Sequence, residues 1–176
     1  SCVGVLGRSN NTRTDIMVKV SELQTQLGKA TILDVTKLNS LVKWVHRHDL
    51  QVKFPPIKPP FKILSINDAA FCADAKGRSQ RGSIILLMND SRSELGGLCH
   101  ELGKASKTIK RVCRSTYSSE LQAACQGLDE SQFAAILLEE IFGSELSWPE
   151  LRNKFEKAQL RVPVDVLTDC RSLYDS

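Results

Sequence analysis

No apolar run in this 176-residue chain approaches the ~20 residues that a membrane-spanning helix needs, which excludes a transmembrane helix. The opening Ser1-Cys2-Val3-Gly4-Val5 has no initiator Met and lacks the basic-then-apolar layout of a secretory signal. At the other end the chain stops at Ser176, inside what reads as the start of a helix. Both ends are expected to continue into a longer polypeptide. Metal-binding cysteine patterns are missing too. The six cysteines, at positions 2, 72, 99, 113, 125 and 170, contain no C-x-x-C spacing, and no histidine pair lies at a zinc-ligand interval from a cysteine pair. They read as reduced, intracellular and mostly buried. His46 and His48 flank Arg47 on a charged stretch and read as solvated surface; His100 reads as an isolated polar side chain.

What is present suits a soluble globular protein. Hydrophobic residues make up 41% and charged residues 25%, in a length that accommodates one domain or one domain with a helical annex. The formal charge of +4 is modest but unevenly placed: Lys104, Lys107, Lys110, Arg111 and Arg114 fall within eleven residues that contain no acid. Such a run favours approach to a polyanion through counterion release, and it equally suits a solvated strand-and-loop face.

Periodicity divides the chain into two parts. Ile16, Val20, Leu23 and Leu27 predict an amphipathic helix over Thr14 to Leu27, capped by Thr14 or Asp15 and stopped by Gly28. Val35, Leu38, Val42 and Val45 predict a second helix beginning near Thr31 or Asp34, so residues 1–54 are expected to hold an α-helical hairpin. Residues 55–60 carry four prolines in six positions and read as an extended linker. From residue 61 the pattern becomes α/β. Phe61 to Asp68 and Ser83 to Met88 read as strands, with turn chemistry from Ala75 to Ser79 and at Asn89-Asp90-Ser91. A third strand draws on Leu98 to Leu102 and Ile109 to Cys113, in a register the pattern leaves open. Tyr117, Leu121, Ala124 and Leu128, then Phe133, Ile136, Leu137 and Ile141, predict a long helix that Gly127 bends or divides. Trp148-Pro149-Glu150 opens a short helix toward Leu160. Val162 to Thr168 reads as a last strand, followed by a helix start. The order implies a mixed sheet with flanking helices.

Asp68 and Asp169 end the first and last predicted strands, and reactive groups in open α/β sheets collect at the carboxyl ends of strands. If those strands are neighbours, the two carboxylates converge, and Glu120, in the first turns of the long helix, can lean over the same edge. Clustered carboxylates repel unless a cation neutralises them, and magnesium, a hard ion preferring oxygen ligands, is the usual partner. Two such ions about 4 Å apart activate water and stabilise the leaving oxygen in phosphodiester cleavage. Taken singly, each acid has a plainer role: Asp68 as a turn former, Asp169 as a helix cap and Glu120 as a favourable charge near a helix N-terminus. Only their joint placement points to chemistry.

Four collinear stretches carry a resemblance. Ile66-Asn67-Asp68-Ala69-Ala70-Phe71 with Gly77-Arg78-Ser79-Gln80 resembles the first strand and hairpin of ribonuclease H domains in copia-type LTR retrotransposon Pol polyproteins. The run from Lys110 to Glu120 resembles their third strand and the helix bearing the second acid. Val164 to Asp169 with Arg171-Ser172-Leu173-Tyr174-Asp175 resembles the fourth strand and its helix. Thr12-Arg13-Thr14-Asp15-Ile16 is similar to the segment closing the preceding reverse transcriptase.

The resemblance implies a ribonuclease H-like domain over 61–176. In it Asp68, Glu120 and Asp169 would act as catalytic ligands of Mg2+ or Mn2+, as two ions. The substrate would be the RNA strand of an RNA–DNA hybrid, held near Lys104, Lys107, Lys110, Arg111 and Arg114. Its expected setting is intracellular, cytoplasmic or nuclear, with the rest of the polyprotein as partner and no membrane. Departures accompany it. The family's fourth carboxylate, on a later helix, has no counterpart before Ser176, and Asp175 lies too close to Asp169 to replace it. Thr14 and Asn67 stand where proline and serine are usual, the tryptophan of the third-strand region is absent, and no Tyr-x-Asp-Asp polymerase motif occurs. The alternatives are a catalytically incomplete nucleic-acid-binding module and an inactive retroelement relic.

Overall fold

Three N-terminal helices bury a small apolar core of their own. The computed structural model describes residues 2–9, 13–73, 77–90, 97–143, 147–157 and 159–175, and the side chains of these except residues 8 and 9. It divides into two compact units, Ser1–Lys53 and Phe54–Ser176. In the first, α1 spans Cys2–Ser9, a 3-10 turn Thr14–Ile16 leads into α2 (Met17–Gln26), a second turn covers Leu27–Lys29, and α3 runs Ile32–Arg47. Helix α1 has no counterpart in the periodicity reading, because its buried Val3 and Leu6 are too few to establish a period. These two join Ile16, Val20, Leu23 and Leu41 in the core.

Leu27 is exposed, since the chain leaves the α-helix there for the tighter turn. Neither Thr14 nor Asp15 caps α2; Ile16 holds the cap position, and Asp15 instead accepts a two-point pair from Arg13. Helix α3 starts with a reciprocal box in which the Asp34 N–H donates to Thr31 Oγ1 and the Thr31 N–H to Asp34 Oδ2. Its buried face centres on Leu41 and leaves Val35 exposed.

The second unit has the α/β order expected: β1 (Phe61–Ala70), β2 (Gln80–Asn89), β3 (Cys99–Thr108), α4 (Thr116–Phe142), α5 (Trp148–Glu156), β4 (Val164–Leu167) and α6 (Arg171–Tyr174). Its four-stranded mixed sheet runs β3-β2-β1-β4. Strands β1 to β3 form an antiparallel meander, and β4 returns through α4 and α5 to lie parallel to β1. One face of the sheet, through Ile63, Ile85 and Leu87, packs on Ala135 and Leu138 of α4 and on Val162. Ala69 and Ile109 meet Ala123 further along the same helix.

Five expectations need correction. The third strand excludes Ile109 to Cys113. Strand β3 lies at the sheet edge with few apolar side chains, and pairing with β2 decides its extent, with an irregularity between Ile85 and Leu86. Residues Ala75 and Lys76 of the predicted turn, Ser91, and Thr12 of the stretch from Thr12 to Ile16 lie outside the described residues.

Helix α4 is continuous, so Gly127 does not divide it, and the apolar stripe is not its inner face. Tyr117, Leu121, Phe133, Leu137 and Ile141 are exposed, while Ser119, Glu120, Ala123, Gly127, Ser131, Ala135, Leu138 and Glu139 are buried. Small side chains let the helix backbone approach the sheet closely, and close approach decides which face turns inward.

The cysteines are free but not mostly buried: Cys2, Cys72 and Cys125 are exposed and Cys99, Cys113 and Cys170 half-buried. Nor is His100 isolated, for its Nε2 meets the Pro55 carbonyl and its ring stands edge-on to Phe54.

Candidate metal centre

The parallel pairing of β1 with β4 sets the first two acids. Ile63 is opposite Val164 and Ile66 opposite Leu167. Continued two places beyond the last pair, the register brings Asp68 alongside Asp169, at the carboxyl end of β4 and near that of β1. Asp169 does not cap α6, whose cap position is Cys170. The turn after β4 is instead held by the Cys170 N–H donating to Thr168 Oγ1 at 3.1 Å.

The third acid comes from α4. Ser115 caps this helix by accepting from the Ser118 N–H. Glu120 therefore falls in its first turns, on the buried face. One carboxylate oxygen, Oε1, accepts from the Ala69 N–H at 3.3 Å, one residue beyond Asp68. The other, Oε2, is buried and has no hydrogen-bond partner among the described residues.

Asp68, Glu120 and Asp169 thus each offer an oxygen, and the three oxygens lie within 4.8 Å of one another. Asp68 and Asp169 are exposed, whereas Glu120 is 6% exposed. Burial pushes the Glu120 carboxyl above its ordinary range, the Asp68 and Asp169 charges push the same way, and the Ala69 N–H opposes them. Hard oxygen donors, mutual repulsion and an unpartnered buried oxygen fit a divalent cation such as magnesium or manganese.

The basic run divides between strand and loop. Lys104 and Lys107 lie on β3, and Lys110, Arg111 and Arg114 lie in the segment between β3 and α4. Lys104 is not a free cation: its side chain is 7% exposed and pairs with Glu101 at 2.6 Å. Lys107, Lys110, Arg111 and Arg114 are exposed.

Lys110 and Arg111 line an open recess of about 560 Å3 together with Arg78, Ser79 and Thr108. Arg78 was not among the candidate binding residues. It comes from the β1–β2 connection, and only the meander brings it beside Lys110, so no run in the sequence could have marked it.

Comparison with known proteins adds a structural likeness. No family model matches the chain, and no curated protein matches it. The chain is similar to the crystal structure of RNase H1 from the halophilic archaeon Halobacterium salinarum NRC-1, at TM-score 0.31 and 12% sequence identity, over 64% of this chain and 89% of that one.

Proposed function

We propose that the second unit is a metal-dependent ribonuclease H-like endonuclease that hydrolyses the RNA strand of RNA–DNA hybrids. Its source, by the four collinear stretches of sequence, is the Pol polyprotein of a copia-type retrotransposon, with residues 1–54 as the end of the reverse transcriptase. The observation that carries the reading is the convergence of Asp68, Glu120 and Asp169 from β1, α4 and the turn after β4.

Each acid has its own part. Glu120, fixed by the Ala69 N–H and shielded from solvent, anchors the cluster and keeps its position when substrate arrives. Asp68 and Asp169, exposed at the sheet end, can be reached by a backbone as wide as a hybrid duplex. Together the three would hold magnesium or manganese, which when bound supplies charge neutralisation and an activated water for phosphodiester hydrolysis. Lys107, Lys110, Arg111 and Arg114 would meet phosphates of the hybrid, contributing affinity without sequence preference. The reading places the protein inside the cell, in cytoplasm or nucleus, where nucleic acid is available.

The test is cleavage of a labelled RNA–DNA hybrid with Mg2+ or Mn2+. Cutting of the RNA strand is expected, abolished by EDTA and by Asp68→Asn, with the DNA strand intact and the variant still folded. Hybrid binding that weakens with salt, without cutting under either metal, would instead make this chain a nucleic-acid-binding module.

A further inference from the structure

Gly127 sits where helix α4 closely approaches Asn67 of β1. A Cβ built on it would fall 1.8 Å from Asn67 Oδ1, 2.4 Å from its Cγ and 2.7 Å from its Nδ2. No side chain fits there while Asn67 keeps its place. Asn67 has little room to leave: it is 3% exposed, and its Nδ2 donates to the buried Ser65 Oγ at 2.9 Å. Its Oδ1 has no hydrogen-bond partner among the described residues and is directed at the backbone of the glycine.

The location matters because Asn67 borders the acidic cluster and Gly127 shares a helix face with Glu120. Asn67 immediately precedes Asp68. Gly127 is seven residues, two helical turns, beyond Glu120 and so lies on the same face of α4. The height of the helix over β1 at Gly127 therefore sets the height of Glu120 over Ala69 and Asp68. At 3.3 Å the hydrogen bond from the Ala69 N–H to Glu120 is already near its limit, so little lift is tolerated. Ser131, one turn further on, returns its hydroxyl to the Gly127 carbonyl at 2.7 Å and keeps that turn polar but self-satisfied. Nothing larger than serine occupies the buried line from Ala123 through Gly127 and Ser131 to Ala135.

We propose that Gly127 and Asn67 are positioning residues for the metal centre: their close contact seats α4 on β1 at the depth that brings the Glu120 carboxylate to Asp68 and Asp169. This rests on the reading of those acids as metal ligands, yet its geometric part stands apart from it. A lifted helix would separate Glu120 from the Ala69 N–H whether or not an ion binds.

The experiment compares the full 176-residue chain with Gly127→Ala, Asn67→Ala and the double variant. The Ala69 amide is followed by NMR shift and hydrogen exchange, and Mn2+ binding by titration calorimetry. Gly127→Ala is expected to expose the Ala69 amide and weaken Mn2+ binding by about ten- to a hundredfold, as loss of a supporting contact does at other metal sites. The double variant, in which the Asn67 side chain no longer blocks the new methyl, is expected to recover the Ala69 protection and ion affinity of Asn67→Ala alone. A Gly127→Ala protein that is less stable but keeps the Ala69 amide and the ion affinity of the parent would overturn the proposal.

If Gly127→Ala does not fold, the double variant decides: an Ala69 amide as protected as in Asn67→Ala supports the proposal and a more exposed one sinks it. A parent chain that binds no Mn2+ would remove the metal reading. The Ala69 amide in the variants would still decide whether Gly127 seats the helix.

Discussion

Glu139 is fully buried, and three groups from two residues, Lys154 and Arg161, converge on it. Lys154 of α5 donates to Oε1 at 2.7 Å, the Arg161 N–H donates to Oε2 at 3.0 Å, and the Arg161 guanidinium stands 3.8 Å away. Burial pushes this carboxyl up, but the hydrogen bonds from Lys154 and Arg161 outweigh it and hold the pKa below the ordinary range. A depressed folded pKa means stabilisation that is present above the unfolded value and lost as pH falls through the folded one. Acid is therefore expected to destabilise the second unit from about pH 4.3 downward. Glu139→Gln should cost about 2 kcal/mol at neutral pH in urea unfolding, from the loss of charge-assisted hydrogen bonds. That difference from the parent should shrink as the pH drops below the same point. The basic residues separate by the same kind of reasoning. Lys107→Ala is expected to weaken hybrid binding and lower its salt slope by about one unit. Lys104→Ala should leave the slope alone and lower the melting temperature, since its partner is Glu101.

At the scale of the element, α4 shows how a helix can mislead a reader of periodicity. Large apolar side chains at Tyr117, Leu121, Phe133, Leu137 and Ile141 describe one stripe, and the sheet covers another in which Ser119, Ala123, Gly127, Ser131 and Ala135 outnumber the larger Glu120, Leu138 and Glu139. Phe133→Ser should cost less than about 0.5 kcal/mol, as substitutions on an exposed face do. Ala135→Leu, at a position with no exposure, should cost about 1–3 kcal/mol by overpacking against Ile63 and Leu87. Denaturant unfolding of the two variants, measured side by side, checks the assignment; equal costs would contradict it. The strands are easier to read, because β1 and β2 carry apolar runs that the ladder extends by Ala69 and Ala70 in β1 and by Gln80, Arg81, Gly82 and Asn89 in β2. Edge strand β3 carries no such run.

For the whole molecule, residues 48–58 have no regular secondary structure and are mostly exposed, and the division between the compact units falls within them. Brief trypsin treatment is expected to cut after Arg47 or Lys53 and to leave a resistant fragment beginning near Phe54. Mass spectrometry of the products would show it. Early cutting within α4 instead would mean that the second unit is not stable alone.

The sequence by itself determined the order of strands and helices after the prolines, because apolar runs and helical spacing are local properties. It also placed Asp68 and Asp169 near strand ends, each within two residues of one, and Glu120 near a helix start. What it could not determine was distance. That the three oxygens come within 4.8 Å follows from β4 choosing β1 as its parallel neighbour and from α4 lying close enough to touch Asn67. Both are contacts between residues far apart in the chain, and they depend on what each side chain leaves room for. Only the tertiary structure decided, by the same cause, that Arg78 joins Lys110 and Arg111 and that α4 turns its small residues inward.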